Sequence, residues 1–467
     1  MLHCSATGKA RIVTSLAGIA SCLRHQGHCG ARTPLLVGEG RIHGRRAVNS
    51  LQCKPMQNQN NTSRLPMWQV LLCGGAVVTL SMGIRHGFGL WLQPITQDMG
   101  WTRESFAMAI AIQNLTWGIM GIFVGMLADK LGAFKVLIGG SVLYALGLVG
   151  MSMAPTPTLF ALTAGVLIGA AQAGTTYAVI YGVLGRQIPV ERRSWAMGVT
   201  AAAGSFGQFF MVPVEGSLIA QFGWSNALLI LGACALIIAV LAFGLREPGF
   251  GSLGGSTAKR EQTVMQALKE AWTTPSFVLL TAGYFVCGFQ VVFIAVHMPS
   301  YLKDFGMAPH VASIGLALVG LFNIFGTYLA GNLGQKFPFN KRYVLSGIYG
   351  LRSVVTIVFL LAPLTDWSVY LFTAAMGMLW LSTVPLTNAT VAQIFGVQHL
   401  SMLGGFVFFS HQIGSFLGVW LGGYLYDLNG NYDMVWYISI GLGIFAALIN
   451  LPVREQAVVR KPLAASA

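Results

Sequence analysis

The chain has 467 residues, of which 55% are hydrophobic and only 9% charged, and its mean hydropathy is +0.66. Soluble domains carry about 25% charged residues, so this composition excludes a soluble globular protein. The formal net charge of +14 would suit a nucleic-acid binder, but the basic residues sit in connecting loops and at the ends, not on one helical face, which excludes that partner as well.

Residues 1–65 hold nine Lys or Arg, one acid (Glu39) and no apolar run of spanning length. They are expected to be a disordered basic extension, with Met56 as an alternative start; an Arg-rich, acid-poor leader is also the composition of an organelle transit peptide. From Trp68 onward twelve apolar stretches follow, at about 68–93, 105–128, 135–153, 158–185, 195–220, 224–245, 276–301, 310–334, 342–362, 367–395, 401–425 and 433–452. A helix of about 20 apolar residues crosses the hydrocarbon core, and a backbone in lipid must satisfy its own hydrogen bonds. The expected fold is therefore an all-α membrane protein of 12 transmembrane helices. They form an N-terminal six-helix half at 66–245, a linker loop at 246–275, a C-terminal six-helix half at 276–453 and a tail at 454–467. The linker mixes Gly, Ser and charges (GFGSLGGSTAKREQ), as suits a flexible hinge.

Loop charge sets the expected orientation. One set of loops carries most of the Lys and Arg, including Lys130, Lys135, Arg186, Arg192, Arg246, Lys269 and Lys341, and the opposite set only Arg103 and Lys303. Basic loops stay in the cytoplasm, so both termini are expected inside a cell (inner) membrane. Cysteines fall into four in the leader and three isolated in helices (Cys73, Cys234, Cys287), a pattern that offers no disulfide framework and no metal site. A shift of 207 residues superimposes Gly207 on Gly414, Gly216 on Gly423 and Gly223 on Gly430. Duplicated halves imply a binding site at their interface.

The segment GMLADKLG, Gly125 to Gly132, resembles the loop signature of the major facilitator superfamily. The resemblance implies the two-half fold and a conformational latch made by Gly125, Asp129, Lys130 and Gly132; Ala133 and Phe134 stand where the pattern continues with two basic residues. The stretches ERRSWAMGVTAAAGSFG from Glu191 and GGYLYDLNGNYDMVW from Gly422 are similar to the bacterial monocarboxylate and oxalate:formate antiporter branch, so the likeness covers nearly everything after residue 66. Animal monocarboxylate transporters carry an Asp and, four residues on, an Arg in the eighth helix. The matching positions here are Asn323 and Thr327, so that charge pair is missing.

Ionisable groups at membrane depth are costly and functional by default. Arg85, Glu215 and Arg352 are the strong charges there. Arg352 stands about 16 Å along the ninth helix from Lys341, near mid-bilayer, and its fork of donors suits a carboxylate; it equally suits a scaffold of carbonyls or tyrosines such as Tyr349. Arg85 and Glu215 lie in the outer third of helices one and five, where they form an ion pair or open separately to water. Glu215, His86 and His297 are candidates for proton coupling. Gln113, Tyr177, Tyr181, Gln290, His411 and Asn323 complete the polar candidates for substrate binding, with Tyr177 and Tyr181 one turn apart on one face. Pro213 and Pro385 mark expected bends.

No P-loop, HExxH, GxSxG or Cys/His cluster occurs in the sequence, which disfavours an ATP-driven pump or an enzyme, and no cofactor is expected. The favoured function is a monomeric secondary carrier for a small organic anion, coupled to proton symport or anion exchange. Efflux of an amphipathic compound is the second reading. A non-transporting receptor is the third, and it fits poorly with only thirteen residues after Arg454.

Overall fold

The computed structural model describes residues 65–247, 263–336, 340–396 and 400–458. The expectations for the leader, for most of the linker and for the end of the tail fall outside these residues. Every regular element among the described residues is helical. The first span is α1 (Met67–His86) and α2 (Phe88–Met99), the second α3 (Arg103–Leu131) and the third α4 (Ala133–Ser152). The fourth, Pro157–Gln187, contains α5 (Pro157–Phe160), a π-helical segment Ala161–Leu167, α6 (Ile168–Thr175) and α7 (Tyr177–Gln187).

The apolar run Trp195–Phe243 is 49 residues long, about 73 Å as one helix and far more than a bilayer core. It is two spans within α8 (Val190–Phe243), turned at Gly223, whose φ of 74° and ψ of 165° are not helical. That turn brings the eleven continuous apolar runs to twelve spans. An amphipathic helix α9 (Val264–Thr273), closed by a Thr263–Gln266 capping box, precedes the seventh span α10 (Pro275–Asp304). The remaining spans are α11 (Pro309–Lys336), α12 (Lys341–Leu361), the broken pair α13 (Asp366–Leu379) and α14 (Thr383–Phe395), α15 (Leu400–Asn429) and α16 (Asp433–Asn450).

The two halves are internally symmetric. Gly223 and Gly430, 207 residues apart, both take positive φ, 74° and 73°, a conformation that costs glycine nothing. Gly207 and Gly414 occupy matching close crossings: a Cβ at either would run into a backbone carbonyl, of Thr79 or Phe285 respectively. The dyad passes between the first and seventh spans. There Gln93 donates to the Ser300 carbonyl, its own repeat mate 207 residues on, at 3.3 Å, and Gly89 packs on the Ala295 carbonyl. Small residues let the backbones approach this closely. Gly89→Val should therefore force the two spans apart, lowering the population closed on the Met99 side in an accessibility assay without unfolding either half.

We call the side holding Met67, Lys341 and Asn450 the terminal face, and the opposite side the distal face. The halves meet mainly along the distal stretches of their helices: Gly118 lies against Gln412, Gly216 against Ser313, Gly320 against Ser205 and Gly423 against Ala107. Toward the terminal face the same four helices open. A Cβ at Gly121, Gly125, Gly198, Gly331 or Gly405 would meet nothing within 4 Å. The bundle is closed distally and splayed toward the terminal face.

Breaks in the spans have local causes. Pro385 has no N–H for the Leu381 carbonyl one turn earlier, so the tenth span unwinds at 380–382, and the Val384 N–H turns back to that carbonyl at 3.0 Å. Pro213, by contrast, stays inside a continuous helix. The first span breaks at Gly87, where a Cβ would overlap the Glu215 carboxylate. A broken helix in lipid is tolerated where other groups take up the freed backbone, and that requirement places several of the polar side chains.

Candidate functional site

The break at Gly87 turns Arg85 and His86 into the seam between the halves. They line a small, partly open cavity of about 10 Å³, room for a single water, together with Gln113 and Asn114 of the second span and Val292, Ala295 and Val296 of the seventh. Arg85 donates from Nη2 to the Asn114 side-chain oxygen at 2.6 Å, and its Cζ lies 4.7 Å from the Trp117 ring. Its Nε has no partner among the described residues. Arg85 stands about midway along the first span, 67–99, not in the outer third expected from the sequence, because the span continues past Gly87. Its side chain is only partly buried, so at mid-depth a guanidinium reaches open space with its charge balanced by an amide and an indole face instead of a carboxylate. His86 is buried behind it with Nδ1 unpartnered.

The walls around Arg85 are held by side-chain to backbone bonds. Gln113 donates to the Ala164 carbonyl at 2.7 Å and its oxygen faces the Gln172 amide at 3.4 Å. Gln412 crosses from the other half to donate to the Asn114 carbonyl at 3.1 Å. Trp117 meets Phe408 edge to face across the seam, ring centroids 5.4 Å apart. Tyr177 and Tyr181 sit one turn apart as their spacing predicts, centroids 5.6 Å apart, both partly exposed; the Tyr181 hydroxyl donates to the Met197 carbonyl at 3.3 Å.

Arg85 and Glu215 have different partners. Glu215 is fully buried, accepts from the Trp91 indole N–H at 3.1 Å, and leaves Oε1 without a partner among the described residues. It sits against the Gly87 break and is not among the residues that line the cavity.

Arg352 is also fully buried. It donates to the Leu379 carbonyl from Nη2 at 2.7 Å and from Nε at 3.2 Å, to the Trp380 carbonyl, and lies 3.5 Å from the Cys287 sulfur. These are carbonyls that the break in the tenth span leaves without helical donors, at the negative end of α13. Of the two roles its depth allows, the geometry supports the scaffold one. Asn323 works on the same break from the eighth span: its side-chain oxygen receives the Leu381 N–H at 3.0 Å and the Thr327 hydroxyl at 3.1 Å, and its amide donates to Ser205 of the other half at 2.9 Å. Asn323 and Thr327, four residues apart, are a neutral hydrogen-bonded pair.

The other candidates disperse. Gln290 turns away from the seam and donates to the Ser439 carbonyl of the twelfth span at 2.9 Å. His411 is buried beside Gln412 and Ser415, with Phe408 stacked on its ring. His297 lies near the distal face, bonded to Tyr432 and the Val419 carbonyl. In the latch segment Gly132 takes φ 90° and closes the second span, and Lys130 is exposed; the Asp129 side chain lies outside the described set. Sequence reasoning missed Trp117, Phe408, Ser205 and the distal residues Arg103, Asp304 and Tyr432. Arg103 carried a signal, being one of two bases in otherwise base-poor loops.

A profile of the Major Facilitator Superfamily matches residues 71–395, and the chain belongs to that superfamily. Its relatives include the uncharacterized MFS-type transporter YcxA of Bacillus subtilis, 24% identical over 84% of this chain and 96% of the relative. Monocarboxylate transporter 13 of Rattus norvegicus is 26% identical over 82% and 89%, and the oxalate:formate antiporter of Oxalobacter formigenes 24% identical over 76% and 84%. Among solved structures, a bacterial homolog of the human lysosomal transporter Spinster, in an inward-facing and occupied conformation, superposes with a TM-score of 0.67 at 16% identity, covering 82% of this chain and 96% of that one. The protein is thus a multi-pass membrane transporter, not an enzyme.

Proposed function

We propose that this chain is a secondary carrier that moves a small organic anion of the monocarboxylate type by alternating access, through proton symport or anion exchange. One observation carries the reading: Arg85 stands at mid-depth, on the seam of the two halves, partly exposed and paired with an amide instead of an acid. A charge so placed favours an anionic guest that completes it. The names of the monocarboxylate and oxalate:formate relatives support the same substrate class. With Asn323 and Thr327 of the eighth span neutral, this reading gives the role of substrate cation to Arg85 of the first span. Arg85, His86 and Asn114 meet the carboxylate; Trp117, Phe408, Tyr177 and Tyr181 supply the wall for its organic part.

Basic loops support a cytoplasmic terminal face; on this reading the opening on that face is inward-facing, and the carrier works as a monomer in the cell (inner) membrane. The aromatic wall also favours a second reading, efflux of an amphipathic anion, which differs in direction and not in the role of Arg85. Purified protein in proteoliposomes, supplied with labelled carboxylates with and without a pH gradient, tests the proposal. Accumulation of at least one monocarboxylate supports it, and vesicles equally impermeable to every carboxylate sink it. Glu215, buried with a free oxygen beside the first-span break, is the proposed coupling proton site. Glu215→Gln should retain exchange but lose acceleration by a pH gradient; an unaltered response would assign the proton elsewhere.

A further inference from the structure

At the distal face the halves are joined by a clasp around Arg103 of the second span. Its guanidinium pairs with both oxygens of Asp304, at 2.5 and 2.7 Å, donates to the Tyr432 hydroxyl at 2.9 Å and lies 3.7 Å from the centre of the Tyr426 ring. Asp427 receives the backbone N–H groups of Arg103 and Glu104 at 3.2 and 2.7 Å. Asp304, Tyr426, Asp427 and Tyr432 all belong to the other half, so the clasp must part before the distal face opens.

The Tyr432 hydroxyl carries this network inward to His297, which is fully buried in the seventh span. The ring faces that hydroxyl through Nδ1 at 3.3 Å and the Val419 carbonyl through Nε2 at 2.8 Å. A carbonyl only accepts, so Nε2 bears the hydrogen and Nδ1 of the neutral ring accepts from the tyrosine. Tyr432 then accepts from Arg103 and donates to His297, one phenol between guanidinium and imidazole. Gly422 presses on the ring, where a Cβ would overlap it, so His297 cannot swing away.

We propose that His297 is a proton-binding site that controls the distal clasp. A proton taken from the distal side adds to the Nδ1 lone pair, makes that nitrogen a donor, and reverses the bond to Tyr432. The phenol oxygen then faces two cations, and the grip on Arg103 weakens. The charged groups on the surrounding elements are Arg103 and Glu104 on the second span, Lys303 and Asp304 on the seventh, Asp427 on the eleventh and Asp433 on the twelfth, with Asp98 at the end of the first. Tyr301 and Tyr426 are the other titratable neighbours, and Lys303 is bonded to Gln97 at 3.2 Å. Low distal pH thus opens the side from which protons come, which is the order symport needs.

This rests on the alternating-access reading but not on which solute is carried. The test uses the full chain in nanodiscs, with spin labels on p-acetylphenylalanine at positions 158 and 367, both exposed on the distal face of opposite halves. Distances are measured by electron–electron resonance at about pH 8 and about pH 4, a range wide enough to carry a histidine through its charge change. The parent protein should gain about tenfold in its distal-open to distal-closed ratio at the lower pH, the change that one unit of differential proton affinity gives. His297→Gln, whose amide can still donate to Val419, should lose that response, and Tyr432→Phe, which cuts the same link without touching the histidine, should lose it too. Asp304→Asn should open the distal face at both pH values. A full pH response retained in both His297→Gln and Tyr432→Phe overturns the proposal while the carrier reading stands. A distal distance that no variant and no pH alters overturns both.

Discussion

Arg85→Gln should raise the KM for any transported carboxylate by about 10- to 150-fold while leaving the fold intact. The lost interaction is a charge-assisted hydrogen bond, worth about 1.5–3 kcal/mol, and each 1.4 kcal/mol is about tenfold in affinity. Glutamine keeps a neutral donor but ends two atoms short of Nη2, so the charge and the bond to the Asn114 oxygen, now 2.6 Å, are lost together. Arg85→Lys should fall between, retaining the charge but not the planar fork. Uptake kinetics together with the unfolding temperature check this: a KM that stays constant in Arg85→Gln would remove the residue from the site.

Arg352→Gln should act on stability and spare the KM. Arg352 is the donor for the Leu379 and Trp380 carbonyls at the break in the tenth span. Each buried carbonyl left unsatisfied costs about 1–3 kcal/mol. The guanidinium's own desolvation works the other way, which reduces the net loss to about 2–3 kcal/mol. Lysine is therefore expected to be at least as damaging as glutamine, because it keeps a buried charge while losing the fork that spans two carbonyls. Thermal unfolding in detergent and the uptake KM of the surviving fraction separate the two roles: a large rise in KM at unchanged unfolding temperature would make Arg352 a substrate ligand.

Much of this architecture was legible beforehand. The twelve spans follow from apolar run length, and even the merged run Trp195–Phe243 divided correctly, because about 73 Å of helix cannot fit a bilayer core of about 30 Å. The repeat of 207 residues paired Gly223 with Gly430, and the structure gives both a positive φ. The fate of the membrane charges was less legible. Arg85, Glu215 and Arg352 look alike as isolated charges in apolar runs, yet one reaches open space, one hides behind a helix break, and one stitches a break in another helix. Pro385 announced a bend but not that Arg352 and Asn323 would be its support. Likewise Gln290 and Asn323 are both polar residues in spans of the same half, but one turns to the twelfth span and the other bridges to Ser205.

The chain by itself determined the number of membrane crossings, the helical class and the duplication, because lipid thickness and backbone hydrogen bonding act on each stretch separately. Only the tertiary structure decided which cation lies on the seam, which face is shut, and that Arg103, Tyr432 and His297 join into one network across more than 130 residues of sequence. Those outcomes depend on the rotation of each helix about its axis and on neighbours that packing brings within hydrogen-bond reach, and no local pattern of residues encodes them.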